Sequence, residues 1–251
     1  MSSYFQNFEQ VDYKFGNEVS LTKIQNLTQS VRIADIIKDD ISFYSNYTIL
    51  DGDRPDILSH KFYDNSKYHY TFYLMNSKLL ENGWPLISSE VTDLVKTVHP
   101  NTVIGTGGEM HSKFDIGQTV TGVTTGATGT ILTKRYDFGQ IIVAKTNSID
   151  FSSSEVVRSL DADNQPETLT LCETTPEYLS THHYIDGDGN YVDVDPHTLN
   201  ADGTRTIPAI YTQITYLDQY NTENDKLKAI RVLKKTQAPQ VHSEFMRLLK
   251  E

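Results

Sequence analysis

A single cysteine, Cys172, leaves this 251-residue chain without any possible internal disulfide. That excludes a small stapled fold and agrees with assembly in a reducing cytosol. No apolar run approaches the roughly 20 residues needed to cross a bilayer. Long runs of Lys or Arg are also missing, and the formal net charge is −11. Such a chain is repelled by nucleic-acid phosphates and by anionic membrane surfaces, so neither is expected as a partner. The opening MSSYFQNFEQVDYKF lacks a basic segment followed by an apolar core, so no signal peptide is expected. Gly105-Thr106-Gly107-Gly108-Glu109 lacks the Gly-Lys-Ser/Thr ending of a phosphate-binding loop. It also does not lead from a strand into a helix as a dinucleotide fingerprint must, and it reads as a flexible linker. No Ser-His-Asp or Cys-His arrangement is suggested, and Cys172, in the strand-like Thr-Leu-Thr-Leu-Cys run, is expected to be buried and inert. No catalytic residue, cofactor or metal is therefore expected, and the chain does not read as an enzyme.

Tyrosine is abundant, at 15 residues, while hydrophobic residues make up only 37%. Tyr combines a broad apolar face with a polar tip, which suits partly wet interfaces as well as ordinary cores. Residues 1–30 scatter aromatics (Tyr4, Phe5, Phe8, Tyr13, Phe15) through a polar arm and are expected to form short strands or an extended docking segment. Ile33, Ile37, Ile41 and Tyr44 predict a helix over 31–44, with Asp35, Lys38 and Asp39 on its other side. Tyr47 to Leu50 read as a strand, followed by an Asp51-Gly52-Asp53 turn. Asp53 is expected to cap a helix, with Arg54 after it, Pro55 in the first turn and Ile57, Leu58 and Phe62 as its buried stripe. A second helix is expected over 67–75, with Tyr68, Phe72 and Met75 inward, ending at Asn76. Gly83-Trp84-Pro85 is a turn. Ser88 then starts a third helix carrying Val91, Leu94, Val95 and Val98.

Beyond Pro100 the composition shifts to Gly, Thr, Ser and Val. Residues 101–172 read as strands separated by turns at Gly126-Ala127-Thr128-Gly129 and Asp137-Phe138-Gly139. His182-His183 precedes Asp186, Asp188, Asn190, Asp193 and Asp195. The D-x-D-x-N spacing resembles the start of a calcium loop. Tyr191 and His197, however, stand where that loop needs Gly and a bidentate Glu, so a hairpin turn explains the cluster better. Residues 173–222 are otherwise loop-rich. Ala229–Leu233 reads as a strand or a helical turn, and Val241, Phe245 and Leu248 mark a final amphipathic helix.

Tyr47-Thr-Ile-Leu-Asp-Gly-Asp53-Arg54-Pro55, the aromatic helix ending in Asn76, Trp84-Pro85 and the closing helix together resemble the gene fifty-three baseplate wedge proteins of T4-like contractile-tailed phages. The resemblance covers roughly residues 1–100 and 175–251. Tyr47, Ile49, Gly52, Asp53, Ile57 and Asn76 also match a LysM pattern. The sequence departs from that pattern where a second strand should follow Pro85 and residues 88–98 look helical instead. The resemblance implies a LysM-like helical core; with residues 101–172 read from their turns and strands as an inserted SH3-like β barrel, and the ends as extended arms, the expected fold is α+β. The expected divisions are 1–46, arm and helix; 47–100, core; 101–172, β module; and 173–251, C-terminal segment. The resemblance further implies a structural subunit of the virion tail baseplate, assembled in the host cytoplasm in multiple copies with sixfold symmetry. Its partners would be other wedge and hub proteins and a sheath-initiating subunit. The interface or core residues it points to are Tyr4, Phe5, Phe8, Tyr47, Asp51, Gly52, Asp53, Arg54, Pro55, Asn76, Trp84 and Pro85. The competing reading is a LysM-type peptidoglycan binder.

Overall fold

The computed structural model describes residues 8–17, 19–26, 40–108, 110–201, 203–204 and 206–249. The chain mixes helix and strand in similar proportion across several sheets. It divides into two units, Met1–Ile87 with Glu223–Glu251, and Ser88–Thr222. The observed division therefore differs from the four expected segments. The cause is long-range strand pairing, which local patterns do not encode.

In the first unit, β1 (Gln10–Tyr13) and β2 (Thr22–Gln25) form an antiparallel hairpin. Tyr4, Phe5 and residues 31–39 of the expected helix lie outside the described residues. Ile41 sits in an exposed turn, and Tyr44 opens a strand instead of closing a helix. That strand, β3 (Tyr44–Thr48), pairs antiparallel with β14 (Ala229–Leu233). Between them in sequence come α1 (Pro55–Tyr63), a 3-10 turn at Ser66–Tyr68, α2 (Tyr70–Met75) and α3 (Ser77–Asn82). After β14 the chain ends in α6 (Ala238–Leu248). Ile49, Leu58, Tyr63, Phe72, Met75, Leu79, Ile230 and Val232 form the main core, with Tyr47 and Trp84 packed against it. Phe8, Tyr70, Phe245 and Leu249 form a second cluster that ties the arm to the C-terminal helix. The stripe on α1 is rotated from the expected one. Ile57 is 56% exposed, while Ser59 and Tyr63 are buried beside Leu58. Ser59 tolerates burial because its hydroxyl donates to the Asn65 carbonyl at 2.7 Å.

The second unit opens with α4 (Ser88–Val98), whose Val91 and Val95 are buried. A seven-stranded antiparallel sheet follows, in the order β10-β4-β7-β6-β5-β8-β9. Its strands are β4 (Thr102–Gly105), β5 (Thr119–Gly122), β6 (Thr128–Arg135), β7 (Gln140–Lys145), β8 (Val156–Leu160), β9 (Pro166–Thr170) and β10 (Glu173–Pro176). Ile104, Phe114, Val120, Ile131, Ile141, Val143, Phe151 and Val157 fill its core. The ladder does not close into a barrel by strand pairing. Its two edges are nevertheless consecutive in the chain. Leu171 N donates to Glu155 O at one edge, and Cys172 N donates to Gly105 O at the other, both near 2.8–2.9 Å. Cys172 itself is buried. The glycine-rich 105–108 stretch is not a free linker. Gly105 ends β4, and side chains of Glu173 and Leu199 occupy the space where Cβ atoms on Gly105 and Gly107 would sit. A second sheet, β12-β11-β13, comprises β11 (Thr181–Ile185), β12 (Tyr191–Val192) and β13 (Thr212–Thr215). The boundary between the units falls within α5 (Tyr216–Lys228).

Glu155 holds the turn between β5 and β6. Its carboxylate is 5% exposed and accepts from Ser152 N at 2.6 Å, from Thr124 N and Thr125 N at 3.3 and 3.2 Å, and from the Thr125 hydroxyl at 3.1 Å. Glu155→Ala strands these donors. It is expected to destabilise the protein by about 2–4 kcal/mol in urea unfolding followed by circular dichroism. An unchanged midpoint would show that the turn holds without the carboxylate.

Candidate functional site

Of the residues singled out in the sequence, Tyr47, Asp51, Gly52, Asp53, Arg54, Pro55, Trp84 and Pro85 lie around the turn after β3, while Phe8 belongs to the arm cluster. Gly52 has φ +89°, a left-handed conformation that suits glycine at this turn. Asp53 does not cap α1. The N-cap is Arg54, in extended conformation and without a side-chain cap. Asp53 instead reaches back, and its Oδ2 accepts from the Tyr47 hydroxyl at 2.8 Å and from Leu50 N at 3.0 Å. The Asp53 carbonyl accepts from Trp84 Nε1 at 2.7 Å. Lys61 Nζ donates to the Tyr47 hydroxyl at 3.2 Å and lies 5.1 Å from the ring centroid. Tyr47, Gly52, Asp53 and Trp84 thus form one knot that fixes the strand–helix junction. Pro55 occupies the first turn of α1, and Pro85 is buried beyond Trp84. Asp51 and Arg54 face outward, the first toward Lys228 at 3.2 Å and the second toward Asp56 at 3.1 Å. Exposed pairs of this kind add little stability.

Asn76 lies apart from the knot and does different work. Its Nδ2 donates to the carbonyls of Phe72 and Arg231, each at 2.8 Å, and its Oδ1 accepts from Arg231 N at 2.8 Å. The side-chain amide therefore serves the outward N–H and C=O of β14 as a neighbouring strand would. Asn224 repeats the device, with Nδ2 donating to Leu86 O at 2.9 Å and Oδ1 accepting from Leu86 N at 2.8 Å. The sequence marks Asn76 as a helix terminator, a match to the LysM pattern and an interface or core candidate, but not as a strand clamp, and it does not single out Asn224. Beside Asn76 opens a cleft of about 690 Å³, lined by polar Asn46, Thr48, Ser77, Lys78 and Arg231 and by apolar Met75, Leu79, Leu227 and Ile230. The cleft is open and mixed in character, and its lining contains two cations and no carboxylate.

The His182–Asp195 stretch lies in the second unit and forms a hairpin. Asp186 Oδ1 accepts from Asp188 N and Asn190 N, each at 2.9 Å, and these bonds hold the Asp186 carboxyl below its ordinary value. Among the described residues no group of three or more His, Cys, Asp or Glu is placed to hold a metal ion. His182 and His183 share a hydrogen bond between their Nδ1 atoms at 2.7 Å, a contact that two imidazolium rings cannot make. Beside them, the Arg135 guanidinium donates to the carbonyls of Thr181 and His182. His99 lies 3.2 Å from Glu177 Oε1 and 4.2 Å, ring to ring, from Tyr216. Partial burial first, and then the positive neighbours, push the His182 imidazole below its ordinary value of 6.5, and burial does the same for His183.

Compared with models of known families and with characterised proteins, the chain matches none.

Asn76→Asp removes both amide donors and sets a carboxylate against two carbonyls. It is expected to cost about 2–4 kcal/mol of stability. Trp84 is the only tryptophan, so its fluorescence during denaturation reports on the unit that holds Asn76. An unshifted midpoint would show the clamp to be dispensable. The histidine pair also sets a pH dependence. Folding lowers both affinities for protons, so no penalty arises above pH 6.5 and one develops as the pH falls below it. The melting temperature is expected to drop with acidification through that window. A His182→Gln/His183→Gln variant should flatten the drop, leaving the share due to His242, which burial also lowers.

Proposed function

We propose that this protein is a structural subunit of the baseplate wedge of a contractile phage tail, built on a LysM-like core. The observation that carries this reading is the order of elements in the first unit. β3, α1 and α2 follow one another, and the pairing strand β14 arrives only after residues 88–222. This is a βααβ arrangement in which a β unit is inserted before the second strand. It accounts for the absence of that strand after Pro85, where a simple LysM module would carry it. Tyr47 in β3, Gly52 and Asp53 in the turn and Asn76 at the end of α2 are consistent with this reading. The seven-stranded sheet, with both edges formed by one stretch of chain, supports reading the inserted unit as a relative of small β barrels.

A wedge subunit works by burying surface against neighbours, and the β1–β2 hairpin is built for that. A two-stranded hairpin is marginal by itself in water. This one exposes Tyr13, Phe15, Val19 and Leu21 at its end. Large apolar side chains grouped in this way mark a contact surface. In this reading the protein joins neighbouring wedges around the hub, with other wedge proteins and a sheath-initiating subunit as partners.

The second reading, a peptidoglycan binder, is favoured by the open cleft beside Asn76, whose mixed polar and apolar lining could take a sugar face. One experiment separates the two: quantitative protein analysis of purified tails alongside a pull-down on cell-wall sacculi. A fixed copy number matching sixfold symmetry is expected in tails. Absence from tails, with retention on sacculi that Ser77→Trp abolishes, would replace the wedge reading with the glycan one.

A further inference from the structure

We propose that the outer edge of β3 is a self-pairing edge, on which a second copy of this chain docks strand to strand. Ile49 N donates to Lys228 O, and Lys234 N donates to Phe43 O. With the register of β3 on β14, this alternation turns the backbone groups of Ser45 and Tyr47 toward β14 and those of Tyr44, Asn46 and Thr48 outward. On β14 the matching outward residue is Arg231, and Asn76 takes both of its backbone groups. On β3 nothing does so. Among the described residues, the outward N–H and C=O groups of Tyr44, Asn46 and Thr48 have no partner, and Asn46 and Thr48 are exposed.

Proteins guard such edges with proline, charge or a bulge. This chain does so elsewhere. The two edge strands of the seven-stranded sheet carry proline, β9 at its start with Pro166 and β10 at its end with Pro176. β3 reads Tyr-Ser-Asn-Tyr-Thr, with no charge, no proline and no bulge. In an antiparallel pairing about a two-fold axis at Asn46, that residue faces Asn46 of the second copy, and Tyr44 faces Thr48. Every outward donor and acceptor is then used, and no like charges meet. Tyr opposite Thr is a favourable cross-strand pair, and a four-stranded sheet replaces two marginal two-stranded ones. The edge carries no charge that would select a charged foreign strand, and a copy of itself meets the outward groups of Tyr44, Asn46 and Thr48 without like-charge contact, which favours a second copy. The inference does not rest on the wedge reading, and its failure would leave that reading untouched.

The test is sedimentation equilibrium of the full chain from micromolar to near-millimolar concentration, with amide exchange at Asn46 and Thr48 followed by NMR. A reversible monomer–dimer equilibrium is expected, with both amides protected only in the dimer. Asn46→Pro removes two inter-copy N–H donors at a position where β14 needs none. It should weaken association about thirty-fold without changing the melting temperature of the monomer. Asn46→Lys keeps the backbone donor and sets two ammonium groups face to face, so it must also weaken the dimer. A chain that stays monomeric throughout overturns the proposal. So does a dimer that survives Asn46→Lys, or one whose protection maps to the β1–β2 hairpin.

Discussion

The side-chain amide of Asn76 is the contact on which the first unit turns. A two-stranded sheet needs help at its edges, and β14 enters it from 155 residues beyond Asn76. Asn is the one residue type that suits the position. It is short enough to stay at the end of α2, and it carries a donor and an acceptor spaced like a peptide group. By bonding Phe72 and Arg231 at once, it fixes the helix end and the strand with one group. The core side chains Phe72, Met75, Ile230 and Val232 then pack at a defined depth. Leu86 and Asn224 repeat the solution where the chain leaves the first unit and returns to it. Both clamps join segments that flank residues 88–222. A long insertion is compatible with a stable core if its two ends are tied in this way, because loop-closure entropy rises only slowly with loop length.

The second unit meets a different constraint. One stretch of its chain serves both edges of the sheet, and several polar groups are buried along with the strands. Gln140 is 1% exposed and donates to Glu173 Oε1 at 3.0 Å. Glu177, 8% exposed, accepts from Asn101 through its backbone N–H at 3.2 Å and its side chain at 2.7 Å. Lys134 has its ammonium among the carbonyls of Met110, His111 and Lys113. Gln140, Glu177 and Lys134 are each met by specific partners, which is what permits their burial. The loops are thus held by side chains, and Glu155 is the clearest instance.

Much of the local structure was legible in the sequence. The α4 helix followed from its Val spacing, the C-terminal helix from Val241 and Phe245, and the 186–190 turn from its Asp and Gly residues. What the sequence concealed was long-range. Nothing local in Ala229–Leu233 shows that it pairs with Tyr44–Thr48, and five apolar-rich residues do not separate strand from helical turn. The α5 helix escaped because none of its thirteen residues is buried and its composition is rich in Asn, Asp and Thr. Asp53 was misassigned as a cap because a carboxylate before a helix has two good local uses. Accepting from Tyr47 and Leu50 won, as the strand end and the turn both needed that oxygen. The site residues were recognisable as a group, but their roles were set by contacts with β14 and Trp84.

The tyrosines show how such an ambiguity resolves. Composition permitted both a core and an interface role. Tyr63, Tyr70 and Tyr184 are buried, and Tyr47 and Tyr68 pack partly buried against the first core. Tyr13, Tyr136 and Tyr191 are largely exposed, and the last lies 4.3 Å, ring to ring, from His183. A hydroxyl-bearing ring is favoured where one end must pack and the other must bond, and both demands recur here. Tyr47 packs on Phe62 while its hydroxyl serves Asp53, and Tyr70 packs on Phe245 while its hydroxyl meets His242 at 2.7 Å. The aromatic surplus therefore has two origins. Tyr47 and Tyr70 couple packing to polar ties, while Tyr63 serves the core by packing. Tyr13, beside Phe15 on the hairpin, is the ring whose exposure asks for a neighbour.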